Sequence, residues 1–263
     1  MRTKTILITG AGSGIGKDTA LTLSRRGHTV IATTETQHQA IELELFAKGE
    51  HLPLVARALD ITIESDRQSI AVENIDVLIN AAAIGESGPL SEIPLDRLRK
   101  NFETNVFSTI AISQIALKKM IEKNAGTVLV ISSIAGRIPS EFMTPYSMTK
   151  FALSGGIASM RKEVHRVASH VHVSLIEPGA YRTGFNQKMF ATKYEWLKEG
   201  SAYFNMVTKL KREDYRFGLI EMRSTASIVG KIVSAAEARK PRLRYTAPWY
   251  QAVLVQVLRI FGK

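Results

Sequence analysis

Three side chains within eighteen residues could move a proton between them. In Tyr146-Ser147-Met148-Thr149-Lys150 a phenol and an ammonium stand four residues apart. On a helix, positions i and i+4 share a face. A free phenol titrates at about pH 10 and is a poor acid–base group at neutrality. A lysine held beside it favours the phenolate and lowers that pKa. Ser133, in Ile131-Ser132-Ser133, lies upstream, where its hydroxyl could hydrogen-bond the oxygen that Tyr146 protonates. The chemistry is proton transfer to or from a substrate oxygen. Alone, the Tyr-x-x-x-Lys spacing reads more simply as a helix with a packed tyrosine and a solvated lysine.

It does not stand alone, because the chain opens with Thr9-Gly10-Ala11-Gly12-Ser13-Gly14-Ile15-Gly16. Together with Ser133, Tyr146 and Lys150, this stretch resembles the short-chain dehydrogenase/reductase family from Thr5 to about Thr183. The resemblance implies an NAD(P)-dependent oxidoreductase acting on CH–OH groups. It makes Tyr146 the proton donor and acceptor, with Lys150 lowering its pKa and binding the nicotinamide ribose. Ser133 positions the substrate oxygen, and Asn105 takes the place of the family's fourth catalytic residue, which holds a relay water. Gly10, Ser13, Gly14, Ile15 and Gly16 are placed at the pyrophosphate, and Asp60 and Ile61 at the adenine. Asn80, Ala81 and Ala82 border the nicotinamide ribose; Pro178, Gly179 and Thr183 border the carboxamide.

The chain departs from the family pattern in two places. The usual Asn-Asn-Ala-Gly reads Asn80-Ala81-Ala82-Ala83. After the second strand, Thr34 occupies the usual aspartate position of NAD-dependent relatives. Glu35 stands where NADP-dependent relatives often carry arginine. A carboxylate there would repel a 2′-phosphate, which leans the reading toward NAD, whereas Lys17 argues for NADP.

These groups need elements to hold them. Apolar runs predict buried parallel strands over Thr5–Thr9, His28–Thr33, Pro53–Leu59, Ile75–Asn80, Thr127–Ser132 and Val171–Ile176, with a seventh over Arg242–Tyr245. Helices alternate with them: Gly14–Arg26, Gln37–Lys48, a short one within Ile63–Val72, Leu95–Lys123, one opened by Tyr146 and running to Ser169, Glu221–Ala238 and Trp249–Phe261. Alternation of this kind specifies one α/β domain, a doubly wound Rossmann-type parallel sheet of about seven strands over residues 1–263. Glycine serves where the backbone takes positive φ or approaches a pyrophosphate, and the helix that follows points its amides at the phosphates. Asp60 reads as an adenine contact, as a helix N-cap, or as both. Leu98, Phe102, Val106, Ile110, Ala111 and Ile115 form the expected apolar stripe of the long helix. Asn105 interrupts that helix with a residue suited to a local kink.

Composition narrows the classes. The chain has 263 residues, 45% hydrophobic and 22% charged, with a net charge of +11 and no cysteine. Disulfides, thiol catalysis and cysteine-ligated zinc are excluded, and a reducing, cytoplasmic setting fits. The basic residues are spread without interleaved aromatics, so nucleic acid is not an expected partner. His170 and His172 lack further ligands, so no metal is expected. No Gly-x-Ser-x-Gly elbow supports a serine hydrolase.

Specificity belongs to the last third. Residues 185–219 are rich in aromatic and methionine side chains, which either cover an apolar substrate or pack helices onto the body. The helix from Trp249 to Phe261 places Gln251, Gln256 and Arg259 on one side and apolar residues elsewhere. That face calls for a membrane surface, another subunit of a homo-oligomer (dimer or tetramer), or the substrate cleft, and Lys240, Arg242, Arg244 and Lys263 flank it. The expected activity interconverts a secondary alcohol and a ketone on a lipophilic substrate such as a steroid, retinoid or acyl lipid. The alternatives are reduction of a small polar carbonyl compound and a non-catalytic dinucleotide sensor.

Overall fold

Ile6, Leu7 and Ile8 are all fully buried, because a strand alternates its side chains between two faces and here both are covered. The computed structural model describes residues 2–261. Its seven strands are β1 (Thr5–Thr9), β2 (Thr29–Thr34), β3 (Leu54–Ala58), β4 (Val77–Asn80), β5 (Gly126–Ile131), β6 (Val171–Pro178) and β7 (Arg244–Ala247). They pair in the order β3-β2-β1-β4-β5-β6-β7, and every pairing is parallel. The helices are α1 (Gly14–Arg25), α2 (Gln37–Gly49), α3 (Glu64–Gln68), α4 (Leu95–Phe102), α5 (Thr109–Glu122), α6 (Thr144–Val167), α7 (Phe185–Lys193), α8 (Val207–Ile220), α9 (Ala226–Glu237) and α10 (Trp249–Ile260).

Two apolar layers result. Ile6, Ile8 and Ile79 face α1, α2 and α9 through Leu23, Leu43 and Ile232. Leu7, Leu78 and Val128 face α5 and α6 through Ile112, Met120 and Leu153. This is the expected single-domain doubly wound sheet. Its strands end together at Thr9, Thr34, Asn80, Ile131 and Pro178, so ligands belong beyond that edge.

Several boundaries move, each for a physical reason. The seventh strand lies at Arg244–Ala247 and not at Arg242–Tyr245, because that register pairs it with Leu175 to Pro178. His28 precedes β2 and accepts a hydrogen bond from the Lys4 amide at 3.2 Å. Glu221 does not open a helix; its carboxylate accepts from Asn186 and Gln187, both at 2.7 Å, and α9 begins at Ala226. The long helix is divided by a π-helical turn at Glu103–Ser108. A π turn adds a residue to the helical register, so the buried face downstream is Ile112, Ala116 and Met120. Ile110, Ala111 and Ile115 of the expected stripe are only half-buried.

One buried charge joins the carboxyl ends of three strands. Glu177 of β6 is fully buried. It accepts from Arg137 at 2.9 Å, from Arg244, and from the Thr246 hydroxyl at 3.2 Å. Removing a carboxylate from such a group leaves uncompensated guanidinium charge. Glu177→Ala is therefore expected to cost about 3–5 kcal/mol of unfolding free energy, measured by urea denaturation. A change below about 1 kcal/mol, the level of a surface pair, would contradict the assignment.

Candidate active site

Ser133 follows β5 in extended conformation and caps a 3-10 turn over Ile134–Gly136, its oxygen accepting from the Ala135 amide at 3.1 Å. Its hydroxyl donates to the Pro178 carbonyl at 3.4 Å and lies close enough to the Tyr146 phenol to lower its proton affinity. Tyr146 lies in the first turn of α6, which starts two residues earlier than expected, at Thr144. Lys150, one turn on, is buried and donates to the Ile131 carbonyl at 3.0 Å. Its ammonium stands 5.4 Å from the Tyr146 ring centroid. Three expected groups thus meet at one point, held by the ends of β5 and β6 and the start of α6.

Their electrostatics differ from expectation in one respect. Burial pushes the Tyr146 phenol well above its usual range, and the Ser133 hydroxyl opposes this only in part. Lys150 does not reverse it. Burial also brings Lys150 down from 10.5 to about 8, since desolvation disfavours its charge. The phenol is therefore held protonated at neutral pH, a proton donor at rest.

Asn105 sits in the π turn and is fully used. Its side-chain oxygen accepts from the Ile84 amide at 2.8 Å, and its amide donates to the Ile84 carbonyl at 2.8 Å and to Thr149 at 3.2 Å. It clamps the chain after β4 against α6, a role the sequence reading did not include. The departing Asn80–Ala83 stretch is ordered by Thr9, whose hydroxyl oxygen accepts from the Ala81 and Ala82 amides at 3.2 and 3.3 Å. Asn80 turns into the body to donate to Ser113 at 2.9 Å. Its side-chain oxygen is buried without a partner.

The glycine-rich turn fits a dinucleotide. Gly10 has φ of +68°, and a Cβ there would lie 2.5 Å from the Ala82 amide nitrogen. Gly14 has φ of +53° and packs on Thr183. Ser13 precedes α1 without a side-chain cap, and the first turn, which includes Ile15 and Gly16, carries no acidic residue. Its amides are left for an anion. Thr34 is buried and donates to the Thr36 carbonyl at 2.8 Å, while Glu35 is exposed at the end of β2. Asp60 is not an N-cap: Ile63 occupies that position. The Asp60 carboxylate instead accepts from Thr62 backbone and hydroxyl at 2.8 and 2.7 Å. Ile61 is buried in the second core layer. Gly179, after Pro178, donates to the Ala247 carbonyl at 2.8 Å.

Of the two roles left open for residues 185–219, the structure shows the packing of helices onto the body beside Tyr146. Phe185 lies on Tyr146 with ring centroids 5.5 Å apart. Met189 and Phe190 are buried with Tyr146 and Ala135, and Phe190 meets Phe217 edge-on at 5.0 Å. Two contributors were missed. Ser87 donates to the Met189 carbonyl at 2.5 Å, and a Cβ on Gly85 would lie 2.5 Å from Met189. They fasten α7 to the chain after β4. Only Gly85 carried a usable signal, a glycine outside any turn motif. Arg182 and Arg223 were also missed; with Gly14, Asp18 and Thr183 they line an open cleft of about 460 Å³.

The Lys150 shift has a definite sign. Between about 8 and 10.5 the unfolded chain holds a proton on Lys150 that the folded chain has released. The penalty for burying the charge is fully present below about 8 and disappears as the pH rises to 10.5, so stability rises across that window. Denaturation of wild type and Lys150→Met in parallel should show this rise in the wild type alone. Identical slopes would refute the shift.

Comparison with known proteins agrees with this geometry. The family model described as short chain dehydrogenase matches residues 4–194. Retinol dehydrogenase 8 of Bos taurus is 31% identical over 261 residues, covering 92% of this chain and 83% of the relative. A 7α-hydroxysteroid dehydrogenase solved with NADH and 7-oxo glycochenodeoxycholic acid is 30% identical. It covers 68% of this chain and 72% of its own, with a TM-score of 0.64. A Sphingobium yanoikuyae short-chain dehydrogenase solved with NADPH superposes with a TM-score of 0.74 at 19% identity, over 99% of this chain and 96% of its own. The chain belongs to the short-chain dehydrogenases, oxidoreductases that act on CH–OH groups.

Proposed function

We propose that this protein interconverts a CH–OH carbon and a carbonyl of a lipophilic compound such as a steroid, retinoid or acyl lipid, with NAD as the preferred dinucleotide. The observation that carries the substrate class is the wall around the Tyr146 phenol: Phe185, Met189, Phe190, Met143 and Phe217. The nearby cation, Lys193, is buried and neutralised by Asp214 at 2.6 Å, so it is not left to bind an anionic head group. A small polar carbonyl compound would forfeit its hydration against this wall without replacement.

The bound dinucleotide supplies or accepts the hydride. Gly10, Ser13, Gly14, Ile15 and Gly16 would hold its pyrophosphate and Asp60 its adenine. Ser133 hydrogen-bonds the reacting oxygen; Tyr146 gives that oxygen a proton when a carbonyl is reduced, and in the reverse direction takes the alcohol's proton only after releasing its own to solvent. Lys150 stands beside the phenol and would hold the nicotinamide ribose. Asn105 keeps the Ile84 backbone in place behind them. The combined Ser133, Tyr146 and Lys150 geometry favours catalysis over a sensor role, since binding alone does not need a proton donor beside a buried amine. For cofactor choice, the carboxylate of Glu35 at the end of β2 opposes a 2′-phosphate.

Tyr146→Phe keeps the ring and loses the proton. Turnover of a retinoid or steroid alcohol should fall by about 10²- to 10⁴-fold, while NADH titration followed by nicotinamide fluorescence stays within about twofold, well below the tenfold that 1.4 kcal/mol represents. An active variant would refute the mechanism. Glu35→Arg should shift the NADH-to-NADPH binding ratio toward NADPH by about tenfold, equivalent to about 1.4 kcal/mol. An unchanged ratio would move the selectivity elsewhere, to Lys17 first.

A further inference from the structure

The terminal helix α10 turns one polar residue, Gln251, and one apolar residue, Val255, inward. Gln251 is buried, and its side-chain oxygen accepts from the Ala180 amide at 2.8 Å. Gln256 accepts from Arg137 at 3.2 Å. The opposite side is left to solvent: Trp249 is 76% exposed, Leu254 57% and Ile260 72%, with Val253, Val257 and Phe261 beside them. Tyr250 reaches Met222 at 3.2 Å. That contact brings the end of α8 alongside, where Tyr215, Leu219 and Ile220 are also exposed. Single exposed apolar residues need no explanation, but a run of them along α10, with more at the end of α8, does.

We propose that this face seats the protein on an anionic lipid surface, with α10 lying in the plane of the interface. Charge selects the occupant. The last acidic residue of the chain is Glu237, and Arg239, Lys240, Arg242 and Arg259 follow it. Arg239, Lys240 and Arg242 precede β7, the edge strand on which α10 rests, and Arg259 lies on α10 itself. On α8, Lys211, Arg212 and Arg216 are exposed around Tyr215. The acids of that helix are already engaged: Asp214 with Lys193 and Tyr194, Glu213 with Lys209. An apolar face bordered by cations matches anionic headgroups above acyl chains. Two-fold pairing of the same face would oppose like charges. Trp249 and Tyr250 suit the headgroup level. At twelve residues α10 is about 18 Å long, and no described helix is long and apolar enough to cross a membrane. The docking stands whatever the substrate proves to be.

The test is co-sedimentation of the full-length protein with vesicles of phosphatidylcholine alone, or with about a third phosphatidylglycerol, over a salt series. Binding to the anionic vesicles should be at least about tenfold tighter and should weaken with salt. The Trp249 emission should shift to the blue, with a Trp249→Phe variant identifying its share. The triple variant Val253→Ser, Leu254→Ser, Val257→Ser, shown to be folded by circular dichroism, should lose about tenfold or more. Equal binding to both vesicle types, or an unaffected triple variant, would overturn the proposal. So would protein that sediments with neither. A dimer in light scattering that the triple variant converts to monomer, without vesicle binding, would assign the face to a second copy.

Discussion

The hydrogen bond from the buried Lys150 amine to the Ile131 carbonyl organises the site. A cation without a counter-charge is costly to bury, and the structure shows the cost as a pKa brought down to about 8. What holds it there is the junction of β5 and α6. Gly136 allows the approach: a Cβ would lie 2.5 Å from the Lys150 carbonyl. Ser132 adds a bond to the same carbonyl at 3.3 Å. Once α6 is seated so closely, Tyr146 has one available place, beside Ser133 and beneath Phe185. Chemistry and packing are the same constraint here, since the contacts that exclude water also set both proton affinities.

A second constraint passes through charge. Glu177 gathers Arg137 from the turn after Ser133 and Arg244 from β7. Arg137 then reaches Gln256 of α10. The loop from Pro178 to Thr183 lies between this cluster and Gln251. Buried ion groups add little net stability compared with apolar packing, but they are intolerant of a missing partner. Their effect here is positional: β6, β7 and α10 share one polar centre at the carboxyl edge of the sheet.

Much of this was legible in the residues. Parallel strands announce themselves as short apolar runs, and Gly10, Gly14 and Gly16 occur where no side chain would fit or the backbone turns left-handed. Helix spacing places Tyr146 and Lys150 on one face, and the resemblance to the family joins Ser133 to them. Properties that depend on solvent exclusion were not legible. Tyr146 was expected to be acidified by Lys150, yet desolvation dominates, and burial cannot be read from a spacing. The π turn was half visible: Asn105 marked a disturbed helix, but the phase shift that buries Ile112 in place of Ile110 depends on how α5 meets β4 and β5. The Asn105 clamp on Ile84 is a tertiary contact with no local pattern, and Ser87 on Met189 is another.

The terminal helix shows why an amphipathic pattern does not by itself state which side faces inward. The usual rule places apolar residues against the body because water is the only alternative. For α10 the body offers two polar partners beside an apolar gap: the Ala180 amide needs an acceptor and the Arg137 guanidinium has a donor to spare. Gln251 satisfies the first and Gln256 the second, while Val255 closes the gap over Glu177 and Thr246. An unpaired buried amide costs as much as a lost hydrogen bond. Once the glutamines are committed, the helix rotation is determined, and Val253, Leu254 and Val257 have to face outward. The exposed face is thus a consequence of what holds the loop from Pro178 to Thr183. Any partner that binds α10 from outside bears on the same helix that supports Ala180 from within.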